Sequence, residues 1–128
     1  MKPIFVVEDD DVDFMMIERA FQDLQIQNPI KRFENGLTIL NQIKLERSPQ
    51  PCFILLDLNM PKMNGIEFIE EVKKSEQLAK IKIIVLTTSA EHEDLKKSLE
   101  ADGNQYLIKS LDYEGFVNNL KTIIPACK

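Results

Sequence analysis

The stretch Cys52-Phe53-Ile54-Leu55-Leu56-Asp57 constrains this chain more than any other: an unbroken apolar run closed by a carboxylate, with Pro49 and Pro51 just upstream. A run of strand length with no polar alternation reads as a strand buried on both faces, the kind a parallel sheet covered by helices requires. Asn59, Pro61, Asn64 and Gly65 then break the pattern, and Ile66, Ile69 and Val72 recur at helical spacing. Asp57 is thereby placed at the C-terminal end of a strand, facing the loops, where open α/β sheets bind their ligands. A single Asp in that position reads equally well as a helix cap or a turn residue, so the other strand ends have to decide.

They repeat the motif. Ile4-Phe5-Val6-Val7 is a short apolar run followed by Glu8, Asp9, Asp10, Asp11 and Asp13, after which Phe14, Ile17, Phe21 and Leu24 fall on one helical face. Asn28-Pro29 breaks that helix, Ile30 to Phe33 can form a short strand, and Asn35-Gly36 turns into a helix carrying Leu37, Leu40 and Ile43. Ile81 to Leu86 is a further strand, running into Thr87-Thr88-Ser89. A helix from Glu91 to Ala101 has only Leu95 and Leu99 as strong anchors and is expected to be the least firmly held. Gln105 to Ile108 is the last strand, ending at Lys109, and Phe116, Val117, Leu120 and Ile124 line the last helix. Strands alternating with helices predict an α/β fold, a flavodoxin-like (βα)5 three-layer sandwich with a parallel five-stranded sheet of order 2-1-3-4-5 and right-handed crossovers. In that order the first and third strands are neighbours, so Asp9 and Asp57 face each other, and Thr87 and Lys109 come to the same rim.

The 128 residues are expected to form one domain, 1–128, without an output domain, and no internal repeat or linker is visible in them. A net charge of −5 and the lack of a dense Lys/Arg cluster argue against direct binding of nucleic acid. No apolar stretch is long enough to insert in a membrane and no secretory signal is visible, so the cytoplasm is the expected location. Cys52 and Cys127 are expected to be incidental thiols, neither a disulfide nor a metal pair.

Two or three carboxylates within about 4 Å repel by roughly 4 kcal/mol per pair at an effective dielectric of 20. Such a pocket wants a cation, and oxygen-only ligands favour Mg²⁺ over Zn²⁺ or Cu²⁺. A bound cation lets a phosphoryl group approach Asp57, with Lys109 and the Thr87 hydroxyl available for its oxygens. The constellation fits phosphoryl transfer to Asp57 as nucleophile. Asp10, Asp11 and Asp13 read as charges favoured by a helix N-terminus, Thr88 or Ser89 as a helix cap, and Met15, Met16, Met60 and Met63 as filler. His92, among Glu91, Glu93 and Asp94, is assigned no chemistry.

Val7-Glu8-Asp9, Leu56-Asp57-Leu58-Asn59-Met60-Pro61 with Gly65, Leu86-Thr87-Thr88-Ser89 and Tyr106-Leu107-Ile108-Lys109 together resemble the receiver domain of two-component response regulators, over essentially the whole chain. The resemblance implies that Asp57 accepts a phosphoryl group from a sensor histidine kinase or a histidine phosphotransfer protein. It implies Mg²⁺ held by Asp9, Asp57 and the main-chain carbonyl of Asn59, with Glu8 acting mainly through water. Thr87 and Lys109 would sense the phosphoryl group, and Thr87 and Tyr106 would form the switch that reshapes a protein-binding face. The chain would then be a single-domain regulator, not an enzyme beyond its own phosphorylation and dephosphorylation. Its output would be a protein target as yet unnamed, with a phosphorylation-dependent dimer among the partners such a domain allows. The first helix is the family's usual kinase-facing surface, here Glu18, Gln22 and Asp23. The Thr-Thr-Ser stretch and the acid-rich first loop look closest to small receivers paired with phytochrome-type sensor kinases.

Two positions depart from the family. Ser110 follows Lys109 where a cis proline is usual, and because a cis bond before a non-proline residue costs about 2.5–4 kcal/mol, a trans peptide is expected. Thr88 stands where a smaller residue is common, so hindered water and a longer-lived phosphoaspartate are expected. Of the rival readings, a dehalogenase-like phosphatase needs a second acid two residues after its nucleophile, and Asn59 stands there. A phosphorylation-independent scaffold has no residue in its favour, and a flavodoxin-like cofactor binder lacks a Gly-rich or hydroxyl-rich loop after the first strand.

Overall fold

Four-residue apolar runs and helical stripes settle into the expected alternation. A computed structural model describes residues 2–44, 50–58, 63, 65–75, 80–87, 105–108 and 112–124. Its strands are β1 (Ile4–Val7), β2 (Ile30–Phe33), β3 (Ile54–Asp57), β4 (Ile83–Thr87) and β5 (Gln105–Ile108). The helices among the described residues are α1 (Asp11–Asp23), α2 (Gly36–Lys44), α3 (Gly65–Lys73) and α4 (Tyr113–Ile123). All strand pairs are parallel, in the order β2-β1-β3-β4-β5. The helix expected over Glu91–Ala101 lies outside the described residues.

The strand pleat divides the core in two. Phe5 and Val7 of β1, Ile54 and Leu56 of β3, and Ile83 and Val85 of β4 pack on one side with Ile39, Leu40 and Ile43 of α2 and Phe68, Ile69 and Val72 of α3. Ile4, Val6, Leu55, Ile84, Leu86 and Leu107 point the other way, against Ile17, Ala20 and Phe21 of α1 and Phe116 and Leu120 of α4. Because successive side chains alternate faces, a strand in the middle of three layers must be apolar throughout. That is why β1, β3 and β4 carry no polar residue before their last positions.

Helix starts are capped locally. Asp10 Oδ1 accepts from the Asp13 amide at 2.9 Å, Asn35 Oδ1 from Thr38 at 2.9 Å and Asp112 Oδ1 from Gly115 at 2.7 Å. Asp11 and Asp13 lie in the first turn of α1, as the helix-end reading expects.

Two expectations are corrected. Leu37, assigned to the buried stripe of α2, is 45% exposed, and Ile39 is buried instead. The buried face of α2 is Gly36, Ile39, Leu40 and Ile43, an i, i+3, i+4, i+7 stripe, and Leu37 falls off its edge toward solvent. Cys52 is not an incidental thiol in a buried strand. It is half-buried before the start of β3, beside the core lined by α1 and α4, and it is disulfide-bonded. Apolar periodicity carries no signal for such a bond, and Cys127, the only other cysteine, lies outside the described residues.

Candidate functional site

β1 and β3 are neighbours with Val6 opposite Leu55 and Val7 opposite Leu56. Continuing that register by one residue sets Glu8 opposite Asp57. Glu8 follows Ile4 and Val6, and Asp57 follows Leu55, so both carboxylates leave the sheet on the side of α1. Glu8, Asp9 and Asp57 converge there, each offering a carboxylate oxygen within 4.8 Å of the others. Glu8 is fully buried and Asp57 is 4% exposed, while Asp9 faces solvent.

The loop carrying these acids is held from several directions. The Glu8 amide donates to the Phe33 carbonyl at 3.0 Å, continuing the pairing with β2, and the Asp10 amide donates to Glu8 Oε1 at 3.2 Å. On the other strand the Leu58 amide donates to the Leu86 carbonyl at 3.2 Å and the Gly65 amide to the Leu58 carbonyl at 3.0 Å. Asp57 is thus fixed between a ladder bond and a closed loop. Three carboxylate donors, two of them out of water, repel one another, and a hard divalent cation of the Mg²⁺ or Mn²⁺ type fits both the charge and the all-oxygen donor set.

Thr87 and Tyr106 are placed differently. Thr87 follows Ile83 and Val85 on the side of α2 and α3, is fully buried, and its hydroxyl donates to the Leu107 carbonyl at 3.5 Å. Tyr106 pairs with Val85 and packs half-buried against the same core. The two expected switch residues therefore share one side of the sheet, and Glu8 and Asp57 share the other. Lys109, Asn59, Thr88, Ser89 and Ser110 lie outside the described residues. On α1, Gln22 and Asp23 are exposed, Glu18 is half-buried, and Asp23 accepts a hydrogen bond from the Tyr113 hydroxyl of α4.

One residue escaped the sequence reading. Arg32 of β2 donates from Nε to the Glu8 carbonyl at 2.9 Å and pairs through Nη1 with Asp11 at 2.8 Å, while its guanidinium lies 4.6 Å from the Phe14 ring centre. Nothing in the sequence singles it out, since Lys31 beside it is an equally plain cation in the same short strand.

The model of the response regulator receiver domain matches residues 4–121. The chain belongs to this family. Receiver domains bind a divalent metal and are phosphorylated by histidine kinases. This receiver domain is 35% identical over 123 residues to the probable methanogenesis regulatory protein FilR2 of Methanothrix harundinacea, covering 94% of this chain and 79% of that one. It is 36% identical over 113 residues to the response regulator Rcp1 of Synechocystis sp., covering 85% and 77%. The Mn²⁺-bound structure of Rcp1 superposes with a TM-score of 0.82 at 31% identity, covering 100% of this chain and 98% of that one. The phosphorylated cyanobacterial phytochrome response regulator RcpA gives 0.81 at 30% identity, covering 95% and 90%. Among the described residues no helix of this receiver domain is long and apolar enough to cross a membrane.

Proposed function

We propose that this receiver domain accepts a phosphoryl group on Asp57 from a phosphohistidine of a sensor kinase or phosphotransfer protein, with Mg²⁺ in the acidic pocket. The observation that carries the reading is the convergence of Glu8, Asp9 and Asp57, with Asp57 buried at the strand end and one of its carboxylate oxygens within 4.8 Å of an oxygen from each of the other two. Asp9, Asp57 and the Asn59 carbonyl would hold the metal, and Glu8, which accepts from the Asp10 amide, would orient the loop and act through water. The cation supplies charge neutralisation, so that an anionic phosphoryl group can meet an ionised carboxylate. One Asp57 oxygen attacks phosphorus in line; the O–P bond forms as the P–N bond breaks, and the released imidazole nitrogen takes a proton from water. Lys109 contacts a phosphoryl oxygen, and Thr87 leaves its long bond to the Leu107 carbonyl to donate to another. Tyr106, on the same side of the sheet as Thr87, follows, which changes the surface a protein target or a second receiver meets.

The phosphorylated RcpA and Mn²⁺-bound Rcp1 structures support this chemistry, and the likeness to a phytochrome response regulator supports a phytochrome-type sensor kinase as the donor. The domain turns over no other substrate and works in the cytoplasm. Intact-protein mass after incubation with acetyl phosphate tests the reading. One added phosphoryl group is expected with Mg²⁺ and none with a chelator or in Asp57→Asn; incorporation that survives Asp57→Asn would assign the chemistry elsewhere.

A further inference from the structure

Asp9 is the exposed member of the acidic cluster, so what fixes its direction has to lie in the backbone on either side of it. On its C-terminal side Asp10 caps α1 and donates its amide to Glu8 Oε1 at 3.2 Å. On its N-terminal side is the Glu8–Asp9 peptide, whose oxygen is the Glu8 carbonyl. That oxygen accepts from Arg32 Nε at 2.9 Å, and Glu8's own amide is bound to the Phe33 carbonyl at 3.0 Å. Neighbouring residues of one strand thus hold Glu8 at both its backbone groups, and the Arg32 bond sets the plane of the peptide that aims Asp9.

The guanidinium is itself held still. Nη1 pairs with Asp11 at 2.8 Å and Cζ lies 4.6 Å from the Phe14 ring centre. A fork of fixed geometry suits this task better than a flexible ammonium would.

We infer that Arg32 is a positioning residue of the metal site, setting the direction of Asp9 through the Glu8 carbonyl. The inference rests on the proposed metal reading of the acidic cluster. Position and charge act with opposite signs. A cation beside an acidic pocket weakens metal binding by repulsion, so its removal would tighten binding if charge were its whole effect. Loss of an outer residue that orients a ligand weakens binding, typically by about 10–100-fold.

The test is the Mn²⁺ dissociation constant, read by electron paramagnetic resonance of free Mn²⁺, for wild type, Arg32→Met, Arg32→Lys and Asp9→Asn, with circular dichroism to confirm the fold. Both Arg32 variants are expected to bind about tenfold more weakly, with lysine failing to rescue because it keeps the charge and loses the fork. Arg32→Lys, which preserves the charge on β2, carries the test alone if Arg32→Met does not fold. Tighter binding in Arg32→Met with wild-type binding in Arg32→Lys, or unchanged binding in both, overturns the inference while leaving the metal reading intact. Wild-type protein without saturable binding, or binding that survives Asp9→Asn, overturns the metal reading and the inference with it.

Discussion

Gly65 shows how closely the backbone is drawn around the phosphoacceptor. A Cβ there would lie 2.7 Å from Leu58 Cδ2 and 2.9 Å from Leu58 Cα, so any larger residue must displace the backbone one position after Asp57. Gly65→Ala is expected to lower stability by about 1–3 kcal/mol, measured by urea unfolding, and to weaken divalent-metal binding at the same time. Thr87 makes the opposite prediction. Its hydroxyl makes a bond at the upper limit of length, 3.5 Å, and Thr87→Val keeps the shape, so stability should change by no more than about 1 kcal/mol. The variant should still gain a phosphoryl group, while the amide shifts of β5 that beryllofluoride induces in the wild type should be lost. Shifts of wild-type size in Thr87→Val would remove the hydroxyl from the switch.

At the scale of elements, most of the architecture was legible because three-layer burial leaves an unmistakable trace in the chain. The apolar runs ending at Val7, Asp57 and Thr87 gave β1, β3 and β4, and the stripes through Ile17 and Phe21, and through Phe116 and Leu120, gave the helices on one side. Leu37 was misplaced because the buried stripe of α2 begins on Gly36, which has no apolar side chain to mark it, and continues through Ile39, Leu40 and Ile43. The end of α1 illustrates a second limit. Gln25 takes a φ of 59°, a left-handed conformation that helices usually give to glycine, and no glycine marks it in the sequence. Gln25→Gly is expected to raise stability by about 0.5–1 kcal/mol, the relief of side-chain strain exceeding the added chain entropy. Chemical denaturation checks it, and a loss of stability would mean that the glutamine side chain contributes more than the strain costs.

Across the whole molecule, the pleat sorts the functional groups. Glu8 and Asp57 leave the loop edge toward α1, whereas Thr87 and Tyr106 leave toward α2 and α3. The sequence placed Asp9 and Asp57 on neighbouring strands but could not show that Glu8 is the residue directly opposite Asp57, since register depends on where pairing begins. Arg32 was invisible for a related reason: its role comes from a bond to a backbone carbonyl 24 positions earlier, which no spacing within one element encodes. If the acidic cluster holds a cation only in the folded state, metal should stabilise the whole domain. At a hundredfold excess over the dissociation constant the gain is about 2.7 kcal/mol, seen as a rise in melting temperature that Asp9→Asn abolishes.

The most direct test of the central claim is to trap the modified carboxylate itself. Borohydride reduction of the acetyl-phosphate-treated protein converts an acyl phosphate to an alcohol, and peptide mass spectrometry then reports which residue carried it. Homoserine at position 57, dependent on Mg²⁺, is the predicted result. Reduction at Glu8, Asp9 or any other carboxylate, with position 57 still aspartate, would contradict the account.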